Sequence, residues 1–180
     1  DKEINYDELN KTSNKIANYF LHKGIKQFDV VGIFNTKEFL GYASMLACLK
    51  IGATYTNIDE ENPTIRLKKI LTVCEPKLLV SDCKSSSLIS NIANKLNIEL
   101  IDLFEAEFFK NFDDNNLQIS NNVLGITPAY IMFTSGSTGE PKGVEIKRAS
   151  YLNFLLWLDS YFDVNKNDTI LNTTEFTFDV

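Results

Sequence analysis

Short apolar runs alternate with helical patterns along most of this chain, and this alternation restricts the possible folds more than any other feature. Residues 30–34, 54–58, 77–81 and 99–103 have the length and apolar content of buried strands. The segments between them carry apolar residues at helical spacing. Strands and helices that alternate with short connections predict an α/β fold with a mainly parallel sheet flanked by helices and right-handed crossovers.

Helix start and stop signals support this assignment. Asn5 followed by Glu8 is a capping-box arrangement at the start of a first amphipathic helix. The second helix is predicted to end at Gly52, and Asn62-Pro63 is expected to supply the N-cap and first residue of the third. A further helix is predicted over residues 88–96.

The second half of the chain is predicted to contain an irregular excursion and then more core. Residues 105–125 mix amide and acid groups without an apolar period, so we expect a surface loop. The apolar helix around Trp157 is predicted to be core, and residues 169–172 to form another strand.

Composition excludes several classes of protein. The chain has 180 residues, 44% of them hydrophobic, which is about one domain's worth of core. A net charge of −6 lacks the basic character expected of a nucleic-acid-binding protein. Cys48, Cys74 and Cys83 form no metal-ligand pair and are expected to be small core residues. Without a signal peptide or a membrane-spanning apolar run, we expect a cytoplasmic protein.

A strand that runs directly into a loop of small and hydroxylated residues is the strongest functional signal. Residues 130–133 predict a buried strand, and the residues after them cannot build a core. Glycines allow close backbone approach, hydroxyls donate hydrogen bonds and a lysine supplies a cation, which together suit polyphosphate oxygens. The predicted phosphate-binding residues are Thr134, Ser135, Gly136, Ser137, Thr138, Gly139, Lys142 and Gly143.

This loop is not a phosphate loop of the Walker type. Pro141 stands where that motif has its second glycine, and Gly143 stands where it has the Ser or Thr that binds magnesium. The next residues alternate like a strand instead of opening a helix. We therefore expect a strand, a loop and a second strand, with residues 135–140 mobile when no nucleotide is bound.

The run from Thr134 to Gly143 resembles the signature loop of the adenylate-forming enzymes. These include the adenylation domains of non-ribosomal peptide synthetases, D-alanine carrier-protein ligases and acyl-CoA synthetases. Residues 4–10 and 49–59 resemble two further segments of that family. The resemblance implies that residues 1–180 are the N-terminal part of an AMP-binding domain. The family's later segments are absent, so we expect this truncated chain not to catalyse alone.

The resemblance also implies an activity, cofactors and partners. A carboxylic acid would attack ATP with Mg²⁺ present, and the acyl-adenylate would pass to a carrier-protein phosphopantetheine thiol or to coenzyme A. Residues 178–180 resemble the start of a Phe-Asp-x-Ser segment whose aspartate holds the α-ammonium group of an amino acid. That similarity makes Asp179 the expected substrate-binding residue.

Three functions are compatible with the sequence. The first is an amino-acid adenylation domain. The second is the same fold acting on an aryl or fatty acid with coenzyme A, for which a buried Asp179 would be left unpaired and costly. The third is a non-enzymatic nucleotide-binding module that keeps the loop, and the downstream sequence of the gene would separate it from the other two.

Overall fold

The computed structural model describes residues 3–105, 107–118, 123–135 and 140–177, and strands among them form one six-stranded sheet. The strand order is β4-β3-β1-β2-β5-β6, and only the last pair is antiparallel. The strands are β1 (Val30–Phe34), β2 (Thr54–Ile58), β3 (Leu78–Ser81), β4 (Leu100–Asp102), β5 (Pro128–Ser135) and β6 (Pro141–Lys147). This arrangement confirms the predicted mainly parallel α/β sheet.

Helices cover both faces of the sheet. They are α1 (Tyr6–His22), α2 (Phe39–Ile51), α3 (Thr64–Cys74), α4 (Ser87–Leu96) and α5 (Arg148–Phe162). One buried cluster joins α1 and α2 to the sheet, and a second joins α3 and α4 to it. Because the chain moves from β1 to β2 in one direction and from β2 to β3 in the other, right-handed crossovers place α2 and α3 on opposite faces.

The predicted helix ends are largely confirmed. The Asn5 side chain accepts a hydrogen bond of 2.8 Å from the backbone N–H of Glu8, so it caps α1. Gly52 ends α2 with φ of 76°, a left-handed conformation that favours glycine. The start of α3 differs by one residue: Pro63 is the N-cap and Thr64 the first helical residue.

The excursion predicted at residues 105–125 is only partly a surface loop. It contains a 3-10 helix, Glu107–Asn111, in which Phe109 is buried. Asn14 and Asn18 on α1 donate hydrogen bonds to the backbone carbonyls of Asp114 and Asp113. The prediction missed this packing because the apolar residues that hold the segment follow no regular period and amide side chains of α1 hold its backbone.

Two expectations for the end of the chain are wrong. Residues 169–172 form no strand, and Ile170 and Leu171 are 76% and 82% exposed. None of the residues of α5 is buried, although the helix was predicted to be core. The apolar pattern was present in both places, but no described strand or helix covers it.

The three cysteines differ in burial. Cys48 and Cys74 are buried, as predicted, whereas Cys83 is only half-buried. Burial raises the pKa of the Cys48 thiol, and it raises the pKa of the Cys74 thiol to about 12. These two thiols therefore remain protonated and chemically inert at neutral pH.

Candidate functional site

The predicted phosphate-binding residues lie at the open end of the β5–β6 hairpin. The antiparallel register pairs Thr134 with Lys142 and Ser135 with Pro141, so the loop begins and ends at one point. The side chains of Thr134 and Lys142 are exposed there. Because paired residues project to the same face, a hydroxyl and an ammonium group stand side by side at the hairpin mouth. The strand that follows the loop confirms the distinction from a Walker-type motif.

Gly143 lies where the hairpin packs closely. A Cβ atom at this position would lie 3.0 Å from Ile131 Cγ2 and 3.3 Å from two ring atoms of Phe133. These contacts are closer than side chains normally make. Gly143 therefore lets β6 approach β5 so that Lys142, its neighbour, lies opposite Thr134.

Helix α3 packs against one face of the hairpin. Ile70 and Cys74 pack in one cluster with Ile131, and Phe133 packs against that cluster. Nearer the loop, Lys69 Nζ lies 2.7 Å from Glu140 Oε1. This ion pair is exposed and contributes little stability. It nevertheless ties the last residue before β6 to the helix.

Several predicted site residues lie outside the described part of the chain. They are Gly136, Ser137, Thr138, Gly139 and Asp179, and the side chain of Ser135 is likewise not described. The expectation of a mobile loop at residues 135–140 concerns mostly the same residues. Of the candidates, the structure therefore positions the side chains of Thr134 and Lys142, together with Gly143.

An aromatic cavity of about 680 Å³ opens between α1, α2 and β5, and sequence reasoning did not predict it. Tyr55 and Tyr130 stack with ring centroids 5.6 Å apart, and Tyr151 meets Tyr130 edge-on at 5.9 Å. Burial raises the pKa of Tyr55 and Tyr151. Phe176 closes another part of the wall against Tyr42, with ring centroids 5.1 Å apart. The three tyrosines come from three separate elements, so no local pattern could have linked them.

A second cavity follows β1, β2 and β3 at their carboxyl ends and is acidic. It is lined by Asp59, Glu60, Glu61 and Glu175 among others. Lys37 Nζ lies 2.8 Å from Glu175 Oε1 and offsets part of that charge. No group of three or more metal-ligating side chains within the described ranges is placed to hold a metal ion. An acidic lining disfavours a polyphosphate, which leaves the hairpin mouth as the candidate phosphate site.

The sheet and the hairpin, with a hydroxyl and a lysine at its mouth, define an α/β protein with a candidate anion-binding site. Comparison with known families confirms the resemblance seen in the sequence: the profile of the AMP-binding enzyme family matches residues 1–180. The chain belongs to that family. None of its helices, as far as the structure describes them, is long and apolar enough to cross a membrane.

Individual relatives agree with this assignment. A dimodular nonribosomal peptide synthase of Bacillus subtilis (strain 168) is 32% identical over 100% of this chain, which covers 8% of that protein. A four-domain nonribosomal peptide synthetase, holo-AB3403, solved with AMP and glycine, is 29% identical over 89% of this chain and 11% of its own, with a TM-score of 0.67. ATP-bound MatB from Rhodopseudomonas palustris shares the fold, with a TM-score of 0.77 at 24% identity over 90% of this chain and 33% of its own. The chain thus spans a small part of its relatives.

Proposed function

We propose that this chain is the N-terminal part of an adenylation domain that activates an amino acid with ATP for transfer to a carrier-protein thiol. The observation that carries the proposal is the pairing of Thr134 with Lys142 across the hairpin mouth, within a family that binds AMP. The curated relatives include a dimodular nonribosomal peptide synthase, which favours a carrier protein over coenzyme A.

In the proposed reaction, a substrate carboxylate oxygen attacks the α-phosphorus of ATP. The bond from that phosphorus to the bridging oxygen breaks, pyrophosphate leaves and an acyl-adenylate remains. Thr134 would donate a hydrogen bond to a phosphate oxygen, and Lys142 would offset negative charge on the phosphates. Ser135, Ser137, Thr138 and the glycines at 136 and 139 would complete the cradle with hydroxyl and backbone N–H groups.

We propose that Mg²⁺ would enter the site bound to the phosphates of ATP. The described residues offer no cluster of ligands of their own, and Mg²⁺ commonly binds through phosphate oxygens with few protein carboxylates. When bound, it would neutralise charge on the phosphates. Thr134 and Lys142 would hold the same phosphates from the hairpin side.

The amino-acid part of the proposal depends on Asp179. Its carboxylate would pair with the α-ammonium group in a poorly hydrated site, where such a pair is worth more than on the surface. The glycine bound in the AB3403 synthetase is consistent with this substrate class. An aryl or fatty acid has no ammonium group and would leave the carboxylate unpaired.

The test of the phosphate site is Lys142→Ala in the full-length protein. We expect ATP–pyrophosphate exchange to fall about tenfold to a hundredfold, because a hydrogen bond to a charged group is lost. Lys147→Ala, at the far end of β6, is the matched control and should leave exchange unchanged. Circular dichroism should show the same fold for both variants. Undiminished exchange in Lys142→Ala would contradict the proposal.

The test of the substrate class is Asp179→Ala, assayed by exchange with a panel of amino acids and of simple carboxylic acids. We expect kcat/KM for amino acids to fall several hundred-fold or more, since about 3 to 5 kcal/mol follows from leaving one partner of a buried pair alone. ATP binding should change little. A variant that keeps the wild-type preference for amino acids would exclude this role, and a wild type that prefers fatty or aryl acids would favour the second function.

A further inference from the structure

A small cavity lies at the carboxyl ends of β2 and β5, beside the hairpin mouth. Its volume is about 190 Å³. The residues that line it come from the end of β2 and the turn after it, from the first turns of α3, from the end of β5 and from the segment before residue 178; they include Asn57, Asn62, Arg66, Met132, Phe133 and Thr177. Phe133 directly precedes Thr134 in β5, and its side chain projects to the opposite face, so the cavity lies across the strand end from the Thr134 side chain.

The direction of α3 explains why Arg66 reaches this point. The helix joins the carboxyl end of β2 to the start of the parallel strand β3, so it runs back against the strands. Ile70 packs in the cluster that contains Ile131 and borders Phe133. Arg66 lies four residues earlier on the same face, about 6 Å closer to the helix start. It therefore stands level with the end of β5.

The guanidinium group of Arg66 has no polar partner within the described ranges. Neither an ion pair nor a hydrogen bond joins it to any residue in the described ranges, although the residue is half-buried. Asp59 lines the same cavity, but its Oδ1 accepts a hydrogen bond of 2.8 Å from the backbone N–H of Glu61. The next cation on this face, Lys69, is paired with Glu140.

An unpaired guanidinium on a half-buried residue, beside polar amide groups, is suited to an anion with several oxygens. The planar group can donate two parallel hydrogen bonds to a phosphate. In a chain of net charge −6, such a local cation is needed to draw a polyanion to this edge of the sheet. The neighbouring acidic cavity after β1, β2 and β3 shares Asp59 with this one, and among the residues that line the smaller cavity Arg66 is the cation.

We propose that Arg66 is a second cationic contact for the phosphate chain of ATP, opposite Lys142, and that the cavity at the ends of β2 and β5 receives phosphate oxygens. This inference rests on the proposed function. Arg66 would hold the phosphates from the α3 side, whereas Thr134 and Lys142 hold them from the hairpin. The reacting phosphate would then be held from two directions.

The experiment measures equilibrium binding of ATP and of AMP to the full-length protein, without acid substrate, for wild type and Arg66→Gln. We expect ATP affinity to fall about tenfold to a hundredfold, as for the loss of hydrogen bonds to a charged group. Arg66→Lys should recover part of the loss, because lysine keeps the charge but cannot donate two parallel hydrogen bonds from a planar group. Lys68→Gln, an exposed position on the same helix, removes the same charge and should bind ATP like wild type.

The outcomes separate this inference from the function on which it rests. Unchanged ATP affinity in Arg66→Gln, or a loss no greater than in Lys68→Gln, would overturn the role of Arg66. If ATP affinity is unchanged and a separate ATP–pyrophosphate exchange assay shows a raised KM for the acid, the role is overturned too and the guanidinium is assigned to the substrate carboxylate. If the wild type itself fails to bind ATP, the proposed function fails. Equal thermal unfolding temperatures for the variants would show that each is folded.

Discussion

The helices α1 and α5 differ in burial, and their apolar content alone does not suggest this difference. α5 is rich in leucine and aromatic residues, yet none of its residues is buried. α1 is rich in asparagine, lysine and acid residues, yet it buries Ile16, Ala17, Tyr19 and Phe20. In α1 the apolar residues lie on one face that meets α2 and the sheet. The difference shows that burial depends on an available partner surface and on sorting of apolar residues, not on their number.

The polar residues of α1 strengthen this contrast. Asn14 is fully buried and donates hydrogen bonds to the Asp114 carbonyl and to the Asn116 side chain. Its Oδ1 accepts a hydrogen bond of 2.6 Å from Lys50 Nζ, whose pKa is lowered by burial. Buried amides are tolerated here because each has partners. α1 thus contributes both apolar and polar groups to the interior.

The largest effect is expected at the centre of the α1 face. Phe20→Ala should lower the free energy of unfolding by about 3 to 5 kcal/mol, because Phe20 is completely buried and its removal leaves a cavity. Phe162→Ala, on the 61% exposed Phe162 of α5, is the matched control. It should cost less than about 0.5 kcal/mol. Urea denaturation measures both, and equal losses would refute the contrast between the helices.

A smaller loss is expected from the buried amide. Asn14→Ala should cost about 1 to 3 kcal/mol, since the Asp114 carbonyl and the Lys50 ammonium each lose a partner. Asn18→Ala removes one similar hydrogen bond at an exposed site and is the control. Denaturation curves of the two variants should separate clearly. An Asn14→Ala variant as stable as Asn18→Ala would mean that water replaces the lost amide.

Helix capping should give a further, smaller difference. Asn5→Ala removes the hydrogen bond to the Glu8 N–H and should cost about 1 kcal/mol. Lys147, the N-cap of α5, makes no side-chain capping bond, so Lys147→Ala should be close to neutral. Thermal unfolding followed by circular dichroism at 222 nm compares them. If both changes had the same effect, the cap of α1 would not be stabilising.

The smallest expected effect concerns the quenching of tryptophan fluorescence. Trp157 is the single tryptophan of the chain and is 53% exposed. In the 180-residue chain, acrylamide should quench its fluorescence nearly as strongly as it does after unfolding in urea. Strong protection from quenching would show that α5 is covered in solution, which the described contacts do not predict.

Much of the fold could be predicted because it depends on local signals. The strand at residues 30–34, the cap at Asn5 and the left-handed Gly52 all follow from short patterns. The hairpin that carries Thr134 and Lys142 was also predictable, because its strands flank a recognisable loop. The exposure of α5 was not, since it depends on the absence of a covering element among the described residues.

The site could be predicted only as far as the loop. The contact proposed for Arg66 was not predicted, because nothing in the sequence around it marks a ligand and only the direction of α3 brings it to the end of β5. The cluster of Tyr55, Tyr130 and Tyr151 was missed for the same reason. Contacts between elements distant in the chain require the topology to be known first.

The position of β6 at the rim of the sheet has a consequence for solubility. Within the described residues, its outer edge pairs with no further strand, which leaves backbone groups open to another chain. Pro141 lacks an N–H to offer, and Lys142, Glu145 and Lys147 place charges along the same short strand. Charged side chains along an edge strand disfavour edge-to-edge pairing of copies, because pairing would remove them from water. The lysine proposed to attract phosphate would therefore also discourage aggregation.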